Sequence, residues 1–356
     1  MERKSPHRSP PAPRGRGAAS NPTNRFTRLS IESEEPAPDR VPTQFLRDAS
    51  RTVIARNDSP DVGFETSVNP YRGCEHGCVY CFARPFHEFL GFSAGLDFET
   101  RILVKEDAPE LLRRELAAPS WRPQVIALSG VTDPYQPVER RLGLTRRCLT
   151  ILAEFRNPVT IVTKNALVRR DADLLAELAR HRAAAVCVSV TTLDPEVARR
   201  MEPRTSVPRE RLAAIAELTA AGIPCIAMLA PIVPGLTDHE IPRLLAAVQG
   251  AGAVAARFLP LRLPGAVAGL FDEWLEAHFP ERKEKVLHRI REMRGGRLND
   301  PRFGSRMRGE GIFAEQMRAL FETSCRRLGL PSRGPELSTA AFRRPPGPQL
   351  DLFSGS

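Results

Sequence analysis

The chain has 356 residues, 42% of them apolar and 26% charged, and a formal net charge of +10. That size and composition suit one large α/β domain with appendages, or two small domains. Neither a membrane-spanning nor a secreted protein is expected, because the most apolar run, IPCIAMLAPIVPGL, is broken by Pro231 and Pro234 and the basic, Pro-rich start lacks a signal's apolar stretch. A cytoplasmic protein is expected, and the positive charge favours a polyanionic partner, nucleic acid first, although an Arg-rich composition alone gives the same excess.

In chain order, residues 1–45 are rich in Pro, Ser, Arg and Gly, bury almost nothing, and are expected to be a disordered basic tail. The segment TSVNPYRG (66–73) is expected to be a first strand. It runs into NPYRGCEHGCVYCFARP (69–85), which holds Cys74, Cys78 and Cys81 at C-x3-C-x2-C spacing. Three thiolates on one tight loop can hold an iron–sulfur cluster and leave one iron without a protein ligand. Zinc with His76 or His87 as fourth ligand stays open, although structural zinc sites usually carry two separated ligand pairs. Cys148, Cys187, Cys225 and Cys325 are scattered, most of them in apolar runs, as small core residues are.

Beyond the loop, apolar runs predict buried parallel strands at QVIALSG (124–130), VTIVTK (159–164), AAVCVSVTT (184–192), IPCIAMLAPI (223–232) and AVAARFLPL (253–261). Helical periodicity lies between them, over 144–155, 171–181 with Asp171 as candidate cap, and 206–224 with Pro208 in the first turn. Thr237 and Glu240 have capping-box spacing for the next helix. After residue 262 the pattern turns helical (270–293 and about 312–328), around a glycine-rich basic loop at 294–308. Residues 335–356, with the short string QLDLF, are expected to be a flexible tail. The alternation of strands and helices argues for a parallel α/β fold, either a partial barrel or a doubly wound open sheet.

The cysteine motif resembles that of the radical S-adenosylmethionine (SAM) superfamily. Together with SGVTDPYQP (129–137), TKN (163–165), VSVTTLD (188–194) and APIVPGLTD (230–238), it is similar to the spore-photolyase-like, DNA repair photolyase-related branch, over residues 62–330 or so. The resemblance implies a partial (β/α)6 TIM-type barrel over 46–262, with a C-terminal helical and basic extension over 263–334. It implies a [4Fe-4S] cluster on Cys74, Cys78 and Cys81, and S-adenosylmethionine cleaved reductively to methionine and a 5′-deoxyadenosyl radical, with lyase-type chemistry fed by a flavodoxin- or ferredoxin-type reductant. For the cofactor it implies Tyr80 near the adenine, Thr132 and Asp133 at the amino group or ribose, Lys164 at the carboxylate, a hydroxyl from Ser189 and the backbone at Gly235. One departure stands out: spore photolyases carry a hydrogen-donating cysteine where this chain has Gly130. Tyr135 is a lesser candidate for a relay, with packing as its ordinary role.

The basic loop, with Arg294, Arg297, Arg302, Arg306, Arg308 and Phe303, has the composition of a nucleic-acid surface. Repair or modification of a nucleic acid is the leading expectation. A protein or small-metabolite substrate is the second, and a nucleic-acid-binding protein with a structural zinc or iron–sulfur site is the third.

Overall fold

The computed structural model describes residues 12–27 and 40–345. The tail expected over 1–11 and 28–39, and the QLDLF string, lie outside the described residues. Six parallel strands stand side by side in chain order: β1 (Thr66–Val68), β2 (Ile126–Leu128), β3 (Val159–Thr163), β4 (Ala184–Ser189), β5 (Cys225–Ile232) and β6 (Ala255–Pro260). A short antiparallel strand, Ile54–Arg56, closes the β1 edge. A doubly wound sheet reverses its strand order midway. Here the order never reverses, so the sheet is the partial TIM-type barrel. Between successive strands run α1 (Ala108–Ala117), α2 (Leu144–Phe155), α3 (Ala172–Arg180), α4 (Pro208–Ala220) and α5 (Ile241–Gly250).

Strand β4 shows why the sequence folds this way. All six of its residues are buried. Ala184, Val186 and Val188 join the core shared with Leu175, Leu178, Ile215 and Leu218 of the helices, while Ala185 and Cys187 pack on the other face with Ile226 and Ala255. The period of two splits one continuous apolar run between two faces. Helix α2 buries Leu144, Cys148, Leu149, Ile151, Leu152 and Phe155, the stripe that its spacing predicts.

After β5 and β6 the chain turns helical, with α6 (Val267–His278), α7 (Pro280–Glu292) and α8 (Gly311–Leu328). Phe321 of α8 packs on Phe258 of β6, with ring centroids 4.7 Å apart. Among the described residues no helix is long and apolar enough to cross a membrane.

Two expected tails are anchored where the structure describes them. Residues 12–27 pack on the cysteine loop: a Cβ on Gly17 would lie 1.8 Å from the Gly77 carbonyl oxygen. The Glu99 carboxylate accepts the Gly17 and Ala18 amides at 3.0 and 2.9 Å, and the buried Arg16 donates to the Glu99 and Val41 carbonyls. These anchors are polar, so hydropathy gives no sign of them. At the other end Leu337 packs with Ala185 and Ile226, and the Arg343 amide donates to the Phe155 carbonyl at 2.9 Å.

Two predicted caps go elsewhere. Asp171 makes no side-chain cap and instead takes Tyr135, Arg146 and Arg170. The capping box does not form, because Thr237 accepts the Val233 amide while Glu240 takes the Thr192 hydroxyl and Leu193 amide beyond β4. The basic loop is likewise partly consumed within the fold. Arg294 is buried against the Leu261, Ser305 and Arg306 carbonyls, Arg302 pairs with Asp300 and Glu310, and Arg306 pairs with Asp61.

Candidate active site

The cysteine loop starts where the chain leaves one sheet for another. The strand expected over 66–73 is split: β1 ends at Val68, and Tyr71–Arg72 pairs antiparallel with Arg101–Val104 in a separate three-stranded sheet. The loop therefore hangs from two sheets at the C-terminal end of β1. Backbone bonds fix it further: the Cys74 amide donates to the Phe98 carbonyl at 2.8 Å, and the Val79 amide to the Met201 carbonyl at 3.1 Å. Gly73 (φ +80°) and Gly77 (φ +68°) make the turns, and a Cβ on Gly77 would lie 2.7 Å from the Glu99 carboxylate. Only glycine fits both the conformation and the space. Arg84, fully buried and paired with Glu99, donates to the Cys78 carbonyl at 2.9 and 3.0 Å.

All three thiols are free of disulfides; Cys74 and Cys78 are buried and Cys81 is partly so. Cys81 packs with Cys78 in one cluster and with Cys74 in another. Burial pushes each thiol up, reinforced by Asp133 at Cys74 and Glu202 at Cys78, while Lys164 and Arg84 pull the other way. Among the described residues no three His, Cys, Asp or Glu side chains already stand as a metal-ion cage. The donor set nonetheless fits a cluster: three thiols on one loop, pinned by backbone bonds, with cations at hand.

The two histidines weighed as a fourth ligand sit in different surroundings. His76 is 1% exposed, with its Nδ1 3.3 Å from Asp133 and its Nε2 3.3 Å from the Asn165 amide nitrogen. His87 lies between Phe92 and Phe98. Arg72 pairs with Asp48 at 2.7 Å, in the other sheet's surroundings.

The cofactor candidates fall into distinct groups. Tyr80 and Lys164 meet, with the ammonium 5.8 Å from the ring centroid. Lys164 has no ion-pair partner among the described residues, and its charge acts on Cys78, Cys81 and Glu202. The Tyr80 hydroxyl donates to Glu202, which is buried with Arg211 and accepts the Thr191 hydroxyl at 2.9 Å. Burial works against the Glu202 charge, but Arg211 and Lys164 outweigh it and hold the carboxyl below its usual range. Ser189 is buried, and its carbonyl accepts from Arg211 at 3.0 Å.

Asp133 joins the ends of β2 and β3. It accepts the Thr163 hydroxyl (2.8 Å) and the amides of Lys164 (2.7 Å) and Tyr135 (2.9 Å), besides facing His76. Burial opposes its charge, yet His76 and those amides keep its pKa low. Thr132 donates to the Tyr71 carbonyl at 2.9 Å. At Gly235 (φ +84°) a Cβ would meet Arg289, Lys285 and Val286, and Val286 shares an apolar cluster with Tyr80. Tyr135 is fully buried, with its hydroxyl on Asp171 at 3.1 Å. Gly130 has φ +132°, and a side chain there would crowd Ser67.

Sequence reasoning passes over Glu202, Arg211, Glu99 and Arg84. Nothing local marks the Glu in MEPR as buried, because its partner Tyr80 lies 122 residues away. Arg84 sits in the quoted motif, and only its burial distinguishes it from a surface arginine.

His87 gives the cluster-free protein a pH dependence. Its Nε2 is buried without a partner, and burial pushes the imidazole down to about 4. Between its ordinary value of 6.5 and about 4, the unfolded chain takes a proton that the folded chain refuses. This contribution is complete above pH 6.5 and is lost as the pH falls, by about 3 kcal/mol at most. Urea titrations across that range should show the fall, and His87→Gln should flatten it; equal slopes for both proteins contradict the assignment.

The model of the radical SAM superfamily matches residues 68–248. An uncharacterized protein of Mycobacterium tuberculosis is 43% identical over 232 residues, which is 65% of this chain and 67% of that protein. One from Methanocaldococcus jannaschii is 29% identical over 178 residues, 50% of this chain and 64% of that protein. Among solved structures, a spore photoproduct lyase with one cysteine changed to serine aligns with a TM-score of 0.54 and 17% identity, over 80% of this chain and 78% of that one. A mutant of the same lyase with bound AdoMet and dinucleoside spore photoproduct aligns with a TM-score of 0.51 and 17% identity, over 80% of this chain and 77% of that one. At these identities the likeness is one of fold.

Proposed function

This chain belongs to the radical SAM superfamily, and from that premise we propose an enzyme that cleaves S-adenosylmethionine reductively and acts on a nucleic-acid or nucleotide-derived substrate. The observation that carries the reaction type is the cysteine loop: three free thiols, pinned at the C-terminal end of a parallel strand, beside a lysine with no ion-pair partner among the described residues. Strand C-terminal ends are where barrel enzymes place their chemistry. Cys74, Cys78 and Cys81 would hold a [4Fe-4S] cluster. When bound, cluster and cofactor supply one-electron cleavage to methionine and a 5′-deoxyadenosyl radical that takes a hydrogen atom from the substrate.

The chain's own residues orient and shield. The Lys164 ammonium is available to pair with the methionine carboxylate. Tyr80 offers a ring held in place by its bond to Glu202. Asp133 already accepts three hydrogen bonds and faces His76, so it fixes the β2 and β3 ends and aims Lys164. Thr132 steadies the loop root through the Tyr71 carbonyl. Ser189 and the Gly235 backbone complete the proposed cofactor contacts. A reductant of flavodoxin or ferredoxin type supplies the electron.

Gly130 carries no thiol, and Tyr135 is sealed by Asp171. Hydrogen return in the manner of spore photolyase has no donor at either place, so the reaction differs from that repair cycle in its closing step. The net charge of +10 supports a polyanionic substrate. The test is anaerobic reconstitution followed by 5′-deoxyadenosine release with DNA, RNA or no polymer. Faster release with a polymer supports this reading; equal release in all three moves the substrate to a protein or metabolite.

A further inference from the structure

Next to the cysteine loop is a cavity of 660 Å³ whose lining includes Arg140, Arg169, Arg170 and Arg204, with Asn165 and Ser206. We infer that this cavity binds phosphate groups of the substrate, which deepens the nucleic-acid reading above and rests on it. Four arginines line it; Arg140 carries no counter-charge, and Arg204 shares its charge with Glu75 alone. Arg169 is held by Glu210 and Glu217, and Arg170 by the buried Glu139 and Asp171, so two of the four stand in fixed positions. Arg204 gives one terminal nitrogen to Glu75 at 3.0 Å and has further N–H donors. Arg140 is exposed, and its side chain has no partner among the described residues. The donors left on Arg140 and Arg204 suit recognition of phosphate oxygens, with Arg169 and Arg170 framing the cavity.

The cavity and the site share a wall. The Arg204 amide donates to the His76 carbonyl at 3.2 Å, and the Ser206 amide to the Lys164 carbonyl at 3.3 Å. Asn165, which lines the cavity, also meets His76 at 3.3 Å. The cavity's lining is therefore bonded directly to Lys164 and the loop. In the basic loop at 294–308, Arg294, Arg302 and Arg306 are committed within the fold just as Arg169 and Arg170 are, and Arg297 and Arg308 have no side-chain partner among the described residues.

The experiment is fluorescence anisotropy on the anaerobically reconstituted protein. The probes are labelled single-stranded DNA and RNA oligomers, competed by a nucleoside monophosphate and by inorganic phosphate, over a range of salt. Arg140→Glu should weaken oligomer binding about tenfold, and Arg140→Ala should lower the salt slope by about 1. Arg308→Glu, on the basic loop, should change binding less than about twofold. Competition by the monophosphate or phosphate identifies a mononucleotide-like ligand; competition by polymer alone identifies the backbone. Arg140→Glu, a substitution at an exposed and unpaired position that leaves folding intact by circular dichroism, overturns the inference if it binds every probe as the wild type does. Wild-type protein that releases 5′-deoxyadenosine yet binds no probe also overturns it, while leaving the reaction standing. Phosphate binding without any 5′-deoxyadenosine does the reverse.

Discussion

Replacing Cys78 by alanine is expected to remove both the visible absorbance of the reconstituted cluster and the release of 5′-deoxyadenosine, the latter by more than about 100-fold. Removing a group that only supports a metal ligand typically costs 10–100-fold, and a direct ligand costs more. The loop should survive the change, because Arg84 grips the Cys78 carbonyl and not its sulfur. Cys74→Ala and Cys81→Ala should behave in the same way. Cys148→Ala is the control: that thiol is fully buried in α2, away from the loop, and the variant should still take up iron. Cleavage retained in Cys78→Ala refutes the assignment of the site.

The second large effect is on stability. Glu202 and Arg211 are both essentially inaccessible, and they pair directly beneath Tyr80. Glu202→Ala leaves a guanidinium buried without its counter-charge, which costs about 3–5 kcal/mol. The Arg211 bonds to the Ser189 and Ser206 carbonyls remain but do not neutralise it. Replacing both partners by apolar residues of similar volume, Glu202→Leu with Arg211→Met, should recover most of the loss, since neither charge then needs solvation. Urea midpoints of the cluster-free proteins measure both effects. A Glu202→Ala variant within about 1 kcal/mol of the wild type shows that water reaches this pair and that it does not hold Tyr80.

The barrel was legible because its strands obey a simple rule. A strand buried on both faces must be apolar nearly throughout, and β4 is, up to its terminal Ser189. Helix α2 was equally plain, since its stripe is continuous and Gly143 and Arg156 bound it in left-handed conformations. The cysteine spacing was legible as chemistry, because few roles require three thiols in eight residues. Polar side chains with distant partners were not. Asp171 has the local signature of a cap, yet Tyr135 lies 36 residues before it and Arg146 25 before it, and they claim the carboxylate. Glu240 behaves alike with Thr192, 48 residues away. Sequence reveals a capping preference but not the competitor that overrides it. The charge of the basic loop could be read directly, whereas Asp61, which neutralises Arg306, stands 245 residues earlier. The anchoring of Arg16 and Gly17 was hidden for a related reason: backbone amides bound to one buried glutamate leave no mark on composition.

Radical chemistry at the cysteine loop is tested most directly by product analysis of the wild-type protein. The chain is reconstituted anaerobically, reduced with dithionite and given S-adenosylmethionine. Iron and sulfide should each approach about four per chain, with 5′-deoxyadenosine and methionine formed in equal amounts. One zinc per chain, no sulfide and no 5′-deoxyadenosine under the same reductant contradicts it.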